Sequence, residues 1–343
     1  MIFIRNKNIT EIKKVLDQDY MFSFFNKKKK FFLNSSEKLI GLKIHLLRNF
    51  QGKYQNMTLR YELLTSQKKK FFQARIHRYQ DLPEREWKVF NYLREKGLSS
   101  FIPQKLYYYS PLNILFYLQI PGKSFENLLT QKKVNSFLKF TPLIAQTLFK
   151  IHLTQGPDLP LKNKEQEKKE RRHWFFLVRK CAPSFYPVFS QLLKRIWQLK
   201  QNKLFLKPTE FKLVHSDFHW GNIIKNKDKF SFIDFSYAFC GDPLEDVGGF
   251  LAQNDSMFSY YASDHQEKKE KIRQAFIKNY FRSGISLSQQ NRLFYFEIQK
   301  ILEMAAILAF VEPNPRSKKQ GMNNLFARAR QKIKEWEAYL NSI

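Results

Sequence analysis

The order of apolar and polar residues predicts a β-rich region followed by a long helical region. From Leu39 onward, apolar residues come in short runs separated by turn-like segments, a pattern typical of strands. After the third of these runs, a helix is predicted at Glu84–Lys96, because Pro83 precedes it and Gly97 follows it. The predicted strands are Leu42–Leu47, Met57–Leu64 and Phe71–His77, with a hairpin at Leu106–Tyr109 and Ile114–Ile120. This pattern predicts a small antiparallel sheet and one helix.

The residues after the hairpin follow a helical period over most of their length. Helices are predicted at Leu143–Leu153, Ser184–Gln201, Glu270–Phe281, Arg292–Phe310 and Met322–Leu340. The Lys- and Glu-rich segment Gly156–Arg172 is predicted to be a solvated insertion. We therefore expect an α+β fold with an N-terminal extension (residues 1–38, including a helix at Thr10–Asp17), a sheet lobe (39–119) and a mainly helical lobe (120–343).

The stretch Leu213–Gly249 carries the residues on which a chemical function can be based. Asp217 precedes Asn222 by a D-x-x-x-x-N interval, and the mostly apolar run Phe230–Ile233 then leads into Asp234. A hairpin is predicted here, in which Leu213–Val214 and Ile223–Ile224 flank a loop and Ser231–Ile233 can pair back after the turn. It would place all three polar residues at strand ends or in the loop. In phosphoryl transfer, one Asp orients an attacking hydroxyl and accepts its proton, while an Asn and a second Asp hold Mg²⁺. The spacing favours such a site over a solvated turn.

Three other polar residues are predicted to be structural. His215, two residues before Asp217, is expected to hold the loop backbone in place, and Asp246 is expected to do the same from the start of a following helix. His152 is predicted to be a core residue whose hydrogen bonds are satisfied.

The motifs of this stretch resemble those of the aminoglycoside phosphotransferase/choline kinase superfamily. HSDFHWGN followed by FIDFSYAFCGDPLEDVG matches the family pattern H-x-D-x-x-x-x-N, I-D-[FW] and G-D-P-x-x-D. The resemblance extends over roughly Leu39 to Phe310. It implies a two-lobed protein-kinase-like fold that transfers the ATP γ-phosphoryl group to a hydroxyl. It also implies Asp217 as the catalytic base and Asn222 and Asp234 as Mg²⁺ ligands.

The nucleotide side of the implied site departs from the protein-kinase pattern. Protein kinases place a Lys on the third strand, where it grips the phosphates and pairs with a helix Glu. Arg75 falls at that position here, and a guanidinium is a planar fork rather than a point charge. Glu86 is the candidate partner of Arg75, with Glu84 as the alternative. The first turn carries only Gly52, so a G-x-G-x-x-G phosphate loop is absent.

The resemblance also places the hinge between the lobes. It implies that the backbone of Tyr117–Ile120 binds adenine, with Leu118 and Ile120 as cofactor-binding residues. An ordinary core strand is the alternative interpretation of this segment.

Composition narrows the class of protein. A hydrophobic content of 43% and an aromatic content of 16% are typical of a globular chain. Cys181 and Cys240 show no metal or disulfide spacing, which favours a reducing compartment and hence the cytoplasm. The charged N-terminus does not fit a signal peptide, and the longest apolar run, Met304–Val311, is too short to cross a bilayer. We expect a soluble or peripheral protein.

The net charge of +30, from 60 Lys and Arg against 30 Asp and Glu, has two interpretations. One is an anionic partner, such as nucleic acid or an acidic membrane surface. The other is a Lys-rich bias that decorates the surface, which the scattered short runs Lys27–Lys30 and Lys68–Lys70 favour. No nucleic-acid-binding signature accompanies the charge. A weak peripheral association with an anionic membrane stays open, as does the oligomeric state.

The basic residues are missing from one span. Ser231 to Glu267 contains no Lys or Arg, whereas an even distribution of 60 over 343 positions would place roughly six there. By resemblance this span borders the acceptor pocket, to which Glu297 and Glu303 could add. A locally acidic pocket would favour an amino alcohol, an amino sugar or a neutral sugar as acceptor. The alternative is an acidic surface patch that faces away from the pocket.

These observations predict an ATP- and Mg²⁺-dependent small-molecule kinase. The first alternative is a catalytically weak nucleotide-binding protein on the same fold, which Arg75 and the missing phosphate loop favour. The second is a basic protein that binds nucleic acid or a membrane surface.

Overall fold

The structure, a computed structural model, describes residues 9–49, 56–77, 81–206, 208 and 210–343. The helices are α1 Ile9–Leu16, α2 Gln18–Lys27, α3 Lys29–Phe32, α4 Asp81–Glu95, α5 Phe125–Thr130, α6 Asn135–His152, α7 Lys164–Cys181, α8 Tyr186–Lys200, α9 Leu244–Tyr261, α10 Gln266–Tyr280, α11 Leu287–Val311 and α12 Pro315–Asn341. The strands are β1 Leu39–Asn49, β2 Asn56–Thr65, β3 Lys69–His77, β4 Tyr107–Tyr109, β5 Ile114–Leu118, β6 Lys123–Ser124, β7 Lys212–Val214, β8 Ile223–Asn226, β9 Lys229–Phe232 and β10 Phe239–Gly241.

The chain divides into two compact units. The first, called the sheet unit, comprises residues 1–123 and 223–238, and the second, called the helical unit, comprises residues 124–222 and 239–343. This division differs from the predicted boundaries, which separated residues 1–38 from the sheet lobe and assigned all residues after 119 to the helical lobe. The packing of the N-terminal helices and of the hairpin of β8 and β9 explains these two differences.

The sheet unit is built on a five-stranded antiparallel sheet with the order β1-β2-β3-β5-β4. The three predicted strands and the predicted hairpin are confirmed. Strand β2 pairs with β1 and β3, and β5 pairs with β3 and β4. The turn at Gln51–Gln55, which contains Gly52, lies outside the described residues. Successive side chains of β3 point to opposite faces, so Ala74 and Arg75 face different surroundings.

One face of the sheet is covered by α1–α3, the part of the chain predicted to be an extension. Phe25 and Phe32 are fully buried there, with ring centroids 5.2 Å from Tyr61 and 5.1 Å from Phe72, respectively. The Tyr61 hydroxyl donates a hydrogen bond to the Val15 carbonyl at 2.8 Å. Residues 9–33 therefore complete the core of the sheet unit.

Replacing Phe32 by Leu should lower the free energy of unfolding by about 1–2 kcal/mol, because it leaves a partly unfilled space in this aromatic cluster. The neighbouring Phe31, 37% exposed, provides the matched control, and its Leu variant should stay within about 0.5 kcal/mol of wild type. Urea denaturation of both variants measures the difference. Equal stability of the two variants would show that α3 is not part of this core.

The other face of the sheet packs against α4 and the segment after β9. The Phe90 ring on α4 lies 6.4 Å from Tyr117 and 5.6 Å from Phe235, and Phe101 lies 5.4 Å from Phe230. These contacts place the hairpin of β8 and β9, with the residues up to 238, in the sheet unit. The sequence did not reveal this, since more than a hundred residues separate the two segments.

Residues of α7, α8, α9, α11 and α12 form one hydrophobic core of the helical unit. The segment Gly156–Arg172 has no buried side chain from residue 165 to residue 172, as expected of a solvated segment, but from residue 164 onward it forms the first part of α7, which was not predicted. Asn163 caps α7 by accepting a hydrogen bond from the Gln166 N–H at 2.9 Å, and Trp174 and Val178 bury one face of the helix. The other helices predicted in this unit are confirmed: α6, α10, α11 and α12 are longer than predicted, whereas α8 is shorter. None of the described helices combines the length and apolar character needed to cross a bilayer.

Candidate functional site

Asp217 and Asn222 lie in the helical unit, in the loop that follows β7. Strand β7 pairs with β10, not with Ile223–Ile224 as the predicted hairpin implied. The hairpin that does form joins β8 to β9. Ser216 has a left-handed φ of 76°, which turns the chain sharply just before Asp217.

The Asp217 carboxylate is held on one side. The Asn222 amide donates to the Asp217 carbonyl at 2.8 Å and to Asp217 Oδ2 at 3.2 Å. His219 Nδ1 accepts the Gly221 N–H at 3.0 Å, so the ring proton lies on Nε2, which is 3.5 Å from the same Oδ2. The Asp217 side chain is 38% exposed. The loop thus fixes the carboxylate through Oδ2 and leaves Oδ1 for another contact.

The surroundings of Asp217 keep it ionised. Burial raises the pKa of this carboxyl, but the His219 hydrogen bond and the electrostatic interactions with His219, Lys300 and His215 outweigh it and hold the pKa well below its usual value. A strongly ionised carboxylate is a weak base. Asp217 is therefore suited to orient a hydroxyl by accepting its hydrogen bond and to take the proton only late in a reaction.

The loop backbone is fixed by Asp246, in the first turn of α9. Its two carboxylate oxygens accept the N–H groups of His215 at 2.6 Å and Ser216 at 2.7 Å. The His152 Nε2–H donates to the same carboxylate at 2.9 Å, and His152 Nδ1 accepts the Tyr280 hydroxyl at 2.7 Å. Asp246 is 2% exposed and His152 4%. The predicted structural roles of Asp246 and His152 are confirmed, whereas the contribution of Tyr280 was not predicted.

The far end of the loop is fixed by Trp220. Its indole is fully buried, with ring centroids 4.7 Å from Phe137 and 4.7 Å from Phe250, and its N–H donates to Asn254 at 3.0 Å. Asn222 follows two residues later. Asp217 thus lies between two fixed points of the backbone.

The sheet unit brings Arg75, Glu86 and Asp234 together. Arg75 Nη2 donates to Asp234 Oδ2 at 2.7 Å, and Arg75 Nη1 contacts Asp234 Oδ1. Arg75 Nη1 also lies 3.5 Å from Glu86 Oε1, which accepts the Asp234 N–H at 3.0 Å. The predicted pairing of Arg75 with Glu86 is confirmed, whereas Glu84 pairs with Lys88 at 2.9 Å.

Asp234 has the backbone conformation of a functional position. Its φ of 69° is left-handed, which Asp tolerates better than most residues. The Ser236 hydroxyl donates to Asp234 Oδ1 at 2.7 Å, and the side chain keeps 21% of its surface exposed. The carboxylate is therefore positioned from both sides.

Burial raises the pKa of Glu86 to about 7, since Arg75 offsets it only in part and Asp234 adds a second negative charge. Between the ordinary pKa and about 7, the folded state holds a proton that the unfolded state has lost. Folding stability should therefore decrease as pH rises through this window, by up to about 3 kcal/mol.

Replacing Glu86 by Gln should flatten this part of the pH dependence of unfolding. Glu84→Gln is the matched control, because Glu84 lies on the same helix with its side chain 43% exposed. Urea denaturation from pH 5 to 8 compares the two variants. A Glu86→Gln protein with the wild-type slope would contradict the raised pKa.

In the segment predicted to be the hinge, Tyr117–Ile120, one backbone amide and one buried hydroxyl are candidates for contact with a ligand. The N–H of Leu118 donates to the Gln104 carbonyl at 2.9 Å and that of Gln119 to Phe71 at 2.8 Å, so Ile120 is the better candidate for binding a base. The Tyr117 hydroxyl is buried without a hydrogen-bonding partner among the described residues. An orphaned buried hydroxyl carries a free-energy cost that a ligand could remove.

The available side-chain donors fit Mg²⁺, which takes few protein ligands, better than a metal that is held by protein side chains alone. The described residues contain no cluster of three or more His, Cys, Asp or Glu side chains suited to a metal. Mg²⁺ is commonly held by one or two carboxylates together with substrate phosphates and water. The carboxylate of Asp234 in the sheet unit and the amide oxygen of Asn222 in the helical unit are each hard oxygen donors of this kind, so each residue taken by itself fits the group.

A cleft in the helical unit lies beside the loop that carries Asp217. The cleft is small and partly open to solvent, and its lining includes Ser216, Phe218, Gln299, Lys300 and Glu303. Lys300 pairs with Glu303 at 3.2 Å. Gln299 Oε1 is buried and accepts no hydrogen bond from the described residues. Lys300, whose charge acts on Asp217, was not predicted from the sequence.

The expectation of an acidic pocket is wrong in its charge balance. Glu245 lines the cleft but pairs with Lys162 at 2.7 Å, and Glu297 is buried in ion pairs with Arg273 and Lys332 rather than facing the cleft. Counter-ions from outside the Lys- and Arg-free span also neutralise its other buried acids, with Asp242 bound to Arg292 and Asp255 to Arg273 and Arg328. The positive charges that balance the acids of this span thus lie in other parts of the chain.

Comparison with known proteins gives one family match. A sequence model of the family described as "Phosphotransferase enzyme family" matches residues 57–281. No curated protein matches the chain by sequence.

Several solved structures share the fold. A choline kinase from Cryptosporidium parvum Iowa II has a TM-score of 0.61 at 15% identity, covering 95% of this chain and 99% of that chain. A spectinomycin phosphotransferase, APH(9)-Ia, in complex with ADP and spectinomycin has a TM-score of 0.60 at 15% identity, covering 94% and 98%. An ethanolamine kinase from Plasmodium vivax has a TM-score of 0.58 at 17% identity, covering 97% and 99%. The predicted two-lobed, protein-kinase-like α+β fold is confirmed.

Proposed function

Because the chain belongs to the phosphotransferase enzyme family, we propose that it is a kinase that transfers the γ-phosphoryl group of ATP to a hydroxyl of a small molecule. The observation that carries the proposal is the held carboxylate of Asp217, whose Oδ2 is bound by Asn222 and His219 while Oδ1 is left for an attacking hydroxyl. The chemistry needs positioning and charge stabilisation more than covalent participation.

Each site residue has a proposed role. Asp217 orients the acceptor hydroxyl and takes its proton, while Asn222 and Asp234 are the proposed Mg²⁺ ligands. The metal, when bound, neutralises charge on the phosphates. Arg75 steadies the phosphates and Glu86 positions Arg75. The backbone at Leu118 and Ile120 is proposed to bind the nucleotide base, with Ile120 supplying the N–H, and the ADP in the spectinomycin phosphotransferase structure supports a nucleotide as cofactor.

The charge balance of the cleft supports a neutral acceptor. Three carboxylates line it: Glu245 pairs with Lys162, Glu303 pairs with Lys300, and Asp246 is occupied by N–H groups of the loop and by His152. Because these partners already balance part of the carboxylate charge, an ammonium group on the acceptor would gain less from this lining than from unpaired carboxylates. Hydroxyl groups can instead donate to Gln299 Oε1. Among amino alcohols, amino sugars and neutral sugars, we therefore propose a neutral polyhydroxylated molecule.

An acceptor series of constant shape and varied charge tests this proposal. Glucose, glucosamine and glucuronic acid, with an amino alcohol and its matching diol, are offered with Mg-ATP, and phosphate ester is measured by mass spectrometry. The neutral members should have the highest kcat/KM. A tenfold preference for the ammonium-bearing members would contradict the neutral acceptor but keep the kinase. ATP binding without any ester would instead support the nucleotide-binding protein considered above.

A further inference from the structure

The ion pair between Arg75 and Asp234 occupies the carboxylate that a metal would need. Arg75 Nη2 lies 2.7 Å from Asp234 Oδ2, Arg75 Nη1 contacts Oδ1, and the Ser236 hydroxyl donates to Oδ1 at 2.7 Å. Both carboxylate oxygens therefore already have donors. The Arg75 side chain is 13% exposed, so solvent screens this contact only weakly.

Arg suits this arrangement better than the Lys that protein kinases place at this position. The guanidinium fork matches both oxygens of a carboxylate at once, whereas an ammonium is a compact point charge that binds them one at a time. A divalent cation approaching Asp234 must compete for the same lone pairs and meets the repulsion of a fixed positive charge. Breaking the Arg75–Asp234 pair costs free energy, and this cost weakens the binding of a metal to Asp234.

We propose that Arg75 is an internal counter-ion that holds Asp234 in place of a metal and must be drawn away before Asp234 can bind one. The anionic phosphates of a nucleotide are the partner chemistry that would draw it away, because a guanidinium binds phosphate as well as it binds carboxylate. Metal alone should therefore bind weakly, and nucleotide and metal should favour each other's binding. The proposal rests on the assignment of Asp234 as a metal ligand in the proposed function.

The test measures metal binding without nucleotide or acceptor. Mn²⁺ is titrated into wild type, Arg75→Met and Arg75→Lys, with free Mn²⁺ followed by electron paramagnetic resonance. Arg75→Met should bind Mn²⁺ about 10- to 100-fold more tightly than wild type, the range expected from the loss of competing charged hydrogen bonds. Arg75→Lys should be intermediate.

Two controls make the result specific. Arg85→Met removes another arginine of the sheet unit, one that bonds the Ala238 carbonyl and Asp81, and should leave Mn²⁺ affinity unchanged. The double variant Arg75→Met/Asp234→Asn should lose the gain. If Arg75→Met is too unstable for the titration, Arg75→Lys gives the same comparison. Mn²⁺ should then raise the melting temperature of Arg75→Lys more than it raises the melting temperature of wild type.

The outcomes separate this inference from the proposed function. Equal Mn²⁺ affinity of wild type, Arg75→Met and Arg75→Lys would overturn the counter-ion role even if the wild type transfers phosphate. A gain that survives Asp234→Asn would also overturn it. Tighter binding that depends on Asp234 supports the inference even if no acceptor is phosphorylated.

Discussion

Replacing Asp217 by Asn should lower turnover by about 10²- to 10⁴-fold, the usual contribution of a positioned general base. The amide keeps the shape of the side chain, and its oxygen can still accept from the Asn222 and His219 side chains, but it cannot accept the proton of an attacking hydroxyl. Affinity for the nucleotide should change little. The loss should therefore appear in kcat, measured at saturating ATP and acceptor.

The control for this variant is Asp264→Asn. Asp264 is another carboxylate of the helical unit, with its side chain 55% exposed and its contact to Lys132 on the surface. It should keep wild-type turnover, and both variants should keep the wild-type melting temperature. An Asp217→Asn protein with full turnover would remove Asp217 from the proposed mechanism.

Replacing Asp246 by Ala should destabilise the helical unit by about 3–6 kcal/mol. The carboxylate satisfies the N–H groups of His215 and Ser216 and the ring of His152, and leaving buried donors unsatisfied costs about 1–3 kcal/mol each. Urea denaturation measures the loss. Turnover should also fall, because the backbone just before Asp217 would no longer be fixed.

Asp246→Asn distinguishes this hydrogen-bonding role from simple packing. The Asn side chain has nearly the same volume but directs an amide donor toward at least one of the N–H groups that Asp246 now accepts. It should retain part of the stability lost in Asp246→Ala but not all of it. Wild-type stability of Asp246→Asn would show that the carboxylate contributes only by filling space.

The sequence was sufficient for features set by local pattern. The strands of the five-stranded sheet pair mostly with near neighbours in sequence, so alternation and turn composition indicated them. The interval between Asp217 and Asn222 is also local, and so is the run that leads into Asp234. Helix α7 was missed because its charged first half obscured the apolar face that begins near Trp174.

Features that depend on distant partners could not be predicted in the same way. The acids between residues 231 and 267 looked unbalanced, yet their counter-ions come from far away in sequence, as in the pairs Lys162–Glu245 and Arg292–Asp242. Lys300 and Tyr280 reach the surroundings of the catalytic loop from α11 and α10. Local sequence pattern does not specify such long-range contacts, so composition within one span did not determine the charge of the cleft.

The central claim is phosphoryl transfer from ATP to a small-molecule hydroxyl through Asp217. The most direct measurement incubates wild type and Asp217→Asn with Mg²⁺, ATP labelled in its γ-phosphate and a protein-free metabolite extract. The label should enter an organic phosphate ester with wild type and enter it at least about 10²-fold more slowly with the variant. Label found only in inorganic phosphate, or equal ester formation by both proteins, would contradict the account.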